Sequence, residues 1–238
     1  MAKIKDAKAK NSSGSYARVF NNKALGDLIT KVHSTSISNG SELENLILHY
    51  IVKDFIVEDC DEFLHNFKRF NNTEADIIRL IPKKILKKSK TLKPQKNPEN
   101  KTFEPDFVVL KIDSIQQCCY IIELKDGFVF DTKKVIGERR HLEDFENYIA
   151  KQIPFATKIK FCCFNETSKE KIKNGLKGAF DVNEIMTGEE FCALVKIDYD
   201  NIIRLRKNDS VENIDYFIDE LLKIANIKEL IVEKLGNK

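Results

Sequence analysis

Two short apolar runs, Pro105 to Ile112 and Cys118 to Lys125, constrain this chain more than any other feature of its 238 residues. Both alternate with the period of an extended strand, in which successive side chains point to opposite faces. The first run places Asp106, Val108, Leu110 and Ile112 on one face. The second places Cys119, Ile121, Glu123 and Lys125 on one face and Tyr120, Ile122 and Leu124 on the other. A period of two leaves no freedom, so Glu123 and Lys125 point the same way. A carboxylate and an ammonium on an apolar sheet face cost several kcal/mol unless they are paired or bound to a metal. Pairing of the two runs brings Asp106 toward Glu123. Two carboxylates and an amine then meet at one sheet edge, an arrangement suited to a divalent cation with a positive group beside it.

Pro105-Asp106, sixteen intervening residues and Glu123-Leu124-Lys125 resemble the signature of the PD-(D/E)xK nuclease superfamily, whose best-known members are type II restriction endonucleases. The motif is short, and its position at the edges of two strands joined by a hairpin-length loop makes it more specific than its letters. The bland alternative is a surface hairpin with a Glu–Lys pair two residues apart. The resemblance spans about residues 40 to 165. It implies an α/β (α+β) fold with a restriction-endonuclease-like αβββαβ core, a central mixed sheet flanked by helices, and a helical C-terminal region. Phe128 to Phe130 is the expected short third strand.

The resemblance also implies the chemistry. Asp106, Glu123 and the Leu124 carbonyl are hard oxygen ligands suited to Mg²⁺, with Mn²⁺ as a substitute. Lys125 is placed to orient the attacking water and to stabilise developing negative charge. In the superfamily a glutamate on a helix before the Asp strand completes the acidic cluster, and Glu44 in GSELENLI matches that position best, with Glu42 second. A competing reading makes Ser41 to Glu44 a capping box at the start of a helix carrying Leu43, Leu46, Ile47, Tyr50 and Ile51.

The segment from Pro82 to Lys101 holds eight lysines and one acid, Glu99, with internal prolines at Pro94 and Pro98. It reads as a loop, or as a helix tail followed by one. A lysine run immediately before the Asp strand would gather phosphates and give affinity that falls steeply with salt, and the plain alternative is a solvated charge run. Lys87, Lys88, Lys90 and Lys93 are the candidates there. After the Asp126-Gly127 turn, Lys133, Lys134, Arg139 and Arg140 are read as DNA-binding candidates in a linker close to the site, with Lys133 and Lys134 holding phosphate oxygens rather than reading bases.

The other elements carry general signals. Residues 1 to 23 are basic and polar and read as a loosely held arm, followed by a weak helix from Lys23 to His33. Phe63, Phe67 and Phe70 have the spacing of a helix core stripe. Thr73 to Leu86 reads as a further helix ended or kinked by Pro82. Leu142, Phe145 and Ile149 mark a helix that packs on the sheet, and Ile159, Phe161 and Cys163 share a face of another buried strand. An amphipathic region from Ser210, its expected N-cap, to Leu235 either packs on the core or forms a dimer seam. One nuclease domain is expected, with an arm and lead-in over 1–40, a catalytic core over 41–165 and a recognition or dimerisation region over 166–238.

Composition narrows the alternatives. The chain is 32% charged and 42% apolar, which reads as globular rather than disordered. Neither an apolar run of membrane length nor an apolar secretory segment is visible, so a cytoplasmic protein without a membrane partner is expected. The six cysteines include two adjacent pairs within strand-like runs and no C-x-x-C spacing, which suggests buried, reduced thiols rather than a zinc ribbon or a nucleophile. The four histidines lack zinc-hydrolase spacing, and no phosphate-cradling nucleotide motif occurs, so no nucleotide cofactor is expected. A net charge of +3 announces no nucleic-acid binder, and the distribution of charge matters more. The leading expectation is therefore a homodimeric type II restriction endonuclease acting on double-stranded DNA. A structure-specific repair or recombination nuclease of the same fold, and a non-catalytic DNA-binding protein that keeps the fold, are the alternatives.

Overall fold

The computed structural model describes residues 1–7, 15–67, 76–92, 104–113 and 116–236. In chain order its first half contains α1 (Ser15–Phe20), α2 (Lys23–Tyr50), α3 (Cys60–Asn66), β1 (Ile77–Pro82), α4 (Lys83–Leu86), β2 (Phe107–Ile112) and β3 (Gln117–Lys125). The second half contains α5 (Thr132–Ile149), β4 (Ala156–Cys163), α6 (Lys169–Gly175), β5 (Ile185–Thr187), α7 (Gly188–Leu194), α8 (Tyr199–Leu222) and α9 (Ala225–Gly236). Two compact units result, one of Met1–Leu46 with Asp200–Lys238 and one of Ile47–Tyr199.

The second unit is built on a mixed sheet in the order β1-β2-β3-β4-β5. β1, β2 and β3 pair antiparallel, whereas β4 pairs parallel with β3 and β5 parallel with β4. The parallel step needs a crossover, which α5 supplies. Asp131 caps α5 by accepting hydrogen bonds from the Lys133 and Lys134 amides, at 2.9 and 3.3 Å. Val135, Leu142, Phe145 and Ile149 form its buried stripe. They join Val108 and Leu110 of β2, Cys119 and Ile121 of β3, and Ile159, Phe161 and Cys163 of β4 in one buried cluster. The alternation read from the sequence is therefore the alternation of the core. The opposite face is covered too, since Phe107 of β2 stacks at 5.7 Å on Phe191 of α7.

Several expectations are corrected. The stretch read as a helix from Thr73 to Leu86 contains β1, with only α4 helical and residues before 76 outside the described ones. Ile77, Ile78 and Ile81 are β-branched and fit a pleated surface better than a helix. Pro82 ends the strand at the sheet edge, where a missing amide is tolerated. Phe128 to Phe130 is irregular rather than a strand. Its Phe128 carbonyl approaches Gly175 of α6 so closely that a Cβ there would lie 1.9 Å from the oxygen. The third antiparallel strand comes from β1 instead. Lys133, Lys134, Arg139 and Arg140 lie on α5, not on a linker.

In the first unit, α2 runs without a break through Gly40 and Ser41, so no helix begins there and the expected capping box does not form. Ser210 likewise lies inside α8 instead of capping a helix. Residues 1–7 are held, not loose: the Ile4 amide donates to Asn213 Oδ1 at 2.8 Å, and Asn213 Nδ2 donates to the Ala2 carbonyl at 2.9 Å. Val211, Ile214, Ile218 and Leu222 form an exposed apolar stripe along α8. Among the described residues, no helix is long and apolar enough to cross a membrane. Phe70 and Lys93 lie outside the described residues.

Candidate active site

Strand register assembles the site. Pro82 pairs with Phe107, and Phe107 with Ile122. One residue further along, Lys83, Asp106 and Glu123 follow one another across the three strands. The Lys83 amide donates to the Asp106 carbonyl at 3.0 Å, which fixes this row in the backbone. The Lys83 ammonium lies 2.9 Å from Asp106 Oδ1, and the Leu124 amide donates to Asp106 Oδ2 at 2.9 Å. Asp106 is only 5% exposed. Among the described residues each of its oxygens thus has one donor, and a carboxylate oxygen can accept more than one.

Glu123 is 2% exposed, and its Oε1 accepts from the Lys125 ammonium. Lys125 also lies 3.6 Å from Glu138 Oε1, on α5. Glu123 Oε2 and Glu138 Oε2 are both buried without a hydrogen-bond partner among the described residues. Burial raises the Glu123 pKa, and Asp106 adds to that effect; Lys125 opposes it, leaving Glu123 at about 8. Burial pulls the Lys125 amine down, but Glu123, Glu138 and Asp106 outweigh it, and its pKa stands above the ordinary lysine value. Both groups are disposed to hold protons. A cation at the carboxylates would reverse that for Glu123, because metal ligation favours the ionised form.

The donor set fits a hard divalent ion. Among the described residues no group of three or more His, Cys, Asp or Glu side chains is arranged to hold a metal. Mg²⁺ does not require such a cage, since one or two carboxylates, waters and substrate phosphates suffice. Asp106 and Glu123 are two adjacent carboxylates, and the bare buried oxygen of Glu123 is a candidate ligand atom that nothing among the described residues satisfies. A buried orphan of this kind costs roughly 1–3 kcal/mol or more. Glu42 and Glu44 lie on α2, in the first unit, Glu42 exposed and Glu44 half-buried.

The expected basic residues have different fates. Lys87, Lys88 and Lys90 are exposed at the end of α4 and in the turn beyond it. This turn is fixed from α3: Asp61 accepts from the Ser89 hydroxyl at 2.6 Å and from the Lys90 and Thr91 amides at 2.7 and 3.0 Å. Tyr148 of α5 donates to the Thr91 carbonyl at 3.0 Å. Lys133, Lys134 and Arg140 are exposed on α5. Arg139 is committed elsewhere. It binds Glu143 at 2.7 Å and Glu184 through two nitrogens at 2.8 and 3.0 Å, and it lies over the Phe180 ring. Its guanidinium pins α5 to the loop before β5.

Two site residues escape a reading of the sequence alone. Lys83 falls within a stretch whose spacing reads as helical, and only a strand over 77–82 paired with 107–112 sets it opposite Asp106. Glu138 stands three residues after Val135 and four before Leu142, so it occupies the apolar stripe of α5. A carboxylate at that position is the available signal. The cysteines take no part in this site: all six are free and buried, and burial pushes Cys60, Cys163 and Cys192 up to about 12. Such thiols are poor nucleophiles.

Comparison with known proteins adds an independent observation. The chain is 40% identical to the type II restriction enzyme HhaII of Haemophilus parahaemolyticus over 231 residues, 96% of this chain and 97% of that protein. No family model and no solved structure matches the chain.

Proposed function

The chain belongs to the type II restriction enzymes, and from that premise we propose that the row of Asp106, Glu123 and Lys125 is its catalytic site for cutting double-stranded DNA at a specific short sequence. The observation that carries this reading is the buried, unpartnered Glu123 Oε2 beside Asp106 and Lys125. The spacing of Asp106, Glu123 and Lys125 supports a PD-(D/E)xK reading, and the order β1, β2, β3, α5, β4 after a leading helix is compatible with an αβββαβ core.

Asp106, Glu123 and the Leu124 carbonyl would hold Mg²⁺, for which Mn²⁺ substitutes. When bound, this ion lowers the pKa of a water and polarises the phosphate. The protein does the rest. Lys125, held between Glu123 and Glu138, orients the attacking water and meets the negative charge that develops on the phosphate oxygens. Its ammonium is charged at rest, so it acts by electrostatics and positioning and not as a strong base. Lys87, Lys88, Lys90, Lys133, Lys134 and Arg140 contact phosphates away from the scissile bond. The exposed stripe of α8 offers apolar surface for a homodimer. The buried, unpaired thiols suit a reducing compartment such as the cytoplasm.

The test is cleavage of duplex DNA with and without chelator. Cutting is expected with Mg²⁺ or Mn²⁺ and not with Ca²⁺, whose looser geometry serves binding better than chemistry. Full activity in excess chelator would overturn the metal reading.

Neutralising Lys87, Lys88 and Lys90 to glutamine should weaken binding to all duplexes alike. It should also flatten the salt dependence by about 0.9 in log–log slope for each phosphate no longer neutralised. Filter binding at several salt concentrations measures this. A loss confined to one target sequence would instead make these lysines base readers.

A further inference from the structure

We infer that Lys83 is a positioning residue for the cleavage reaction, one that holds Asp106 in the orientation a divalent cation requires. This rests on the proposed role of Asp106 as a metal ligand. Lys83 reaches Asp106 by two independent routes. Its backbone amide bonds the Asp106 carbonyl at 3.0 Å, and its ammonium bonds Oδ1 at 2.9 Å. The Leu124 amide holds Oδ2 on the other side. With one donor on each oxygen, the carboxylate plane is fixed while lone pairs remain for a further partner. Lys83 is the first residue of α4, whose helical backbone angles leave it little freedom. Its side chain is 32% exposed against 6% for Asp106, so a charge on the rim orients a buried one.

A plain structural ion pair predicts a different outcome. Charge alone would make divalent binding tighter once the ammonium beside Asp106 is removed. Orientation predicts that it becomes weaker, because partners that orient a metal-binding carboxylate are typically worth roughly 10–100-fold in affinity or activity. The two accounts therefore differ in sign.

The experiment measures Mn²⁺ affinity of the full chain without DNA, by titration calorimetry, together with single-turnover cleavage in Mg²⁺. Lys83→Met should weaken Mn²⁺ binding by roughly tenfold or more and slow cleavage by a similar factor. Lys83→Arg, which keeps a charged donor, should recover part of both. Unchanged or tighter Mn²⁺ binding in Lys83→Met overturns the role. Should Lys83→Met fail to fold, Lys83→Gln, with a neutral donor, takes its place: weaker Mn²⁺ binding supports the role and unchanged or tighter binding overturns it. Asp106→Asn separates the role of Lys83 from the metal reading beneath it. If it retains Mn²⁺ binding and cleavage, the metal reading falls and the role of Lys83 with it. If it loses both while Lys83→Met behaves like the parent, only the role of Lys83 falls.

Discussion

Asp106→Asn should abolish metal-dependent cleavage, a loss of roughly a thousandfold or more, while DNA affinity without metal holds or rises. The substitution keeps the size of the side chain and an oxygen able to accept from the Leu124 amide, so that buried donor is not stranded. What disappears is one of the two carboxylates proposed to hold the ion. Binding should not suffer, because the change removes a negative charge from the surface proposed to meet phosphates and releases the Lys83 ammonium from its acid partner. Gel-shift affinity with and without Ca²⁺, beside single-turnover cleavage in Mg²⁺, reads both halves. Parental cleavage by a folded Asp106→Asn protein would remove Asp106 from the site.

Lys125→Ala should slow cleavage by roughly a hundredfold or more, the scale on which one positioned charge or proton-handling group acts. The fold should survive, since Ile121 and Ile122 of the same strand stay fully buried and untouched. The ammonium does separate Glu123 from Glu138, and its removal leaves one buried and one half-buried carboxylate without their shared partner. Glu123, already pushed upward by burial and by Asp106, answers by holding its proton more firmly. Most DNA affinity should remain, because the exposed lysines and Arg140 lie elsewhere. Lys125→Met, which preserves the aliphatic stem, is the companion variant. A Lys125→Ala protein that folds, binds DNA and cuts at the parental rate would sink the site assignment.

The elements that mislead are those whose local signals compete with tertiary packing. Ser41 and Ser210 each look like helix N-caps, and each sits inside a longer helix. A cap contributes about 1 kcal/mol, too little to stop a helix whose next turns gain backbone hydrogen bonds and burial. Ile78, Leu80 and Ile81 fit helical spacing as well as a short buried strand, an ambiguity that periodicity alone does not resolve. Pairing with β2 resolves it.

Within residues 105 to 125 the sequence by itself determined the centre of the candidate site. Alternation in an extended strand has no adjustable angle, so Glu123 and Lys125 had to share a face, and pairing with the Asp106 run had to bring the two carboxylates together. Tertiary structure alone decided the remainder of the row. Lys83 reaches Asp106 only because β1 pairs with β2 in one register, and a slip of a single residue would turn it to the other face. Glu138 reaches Lys125 only because α5 packs its apolar stripe against the sheet. Arg139, one residue further on, is drawn instead to Glu184 and Phe180. Strand alternation is a property of the backbone and can be read one residue at a time, whereas register and packing are set by partners distant in sequence.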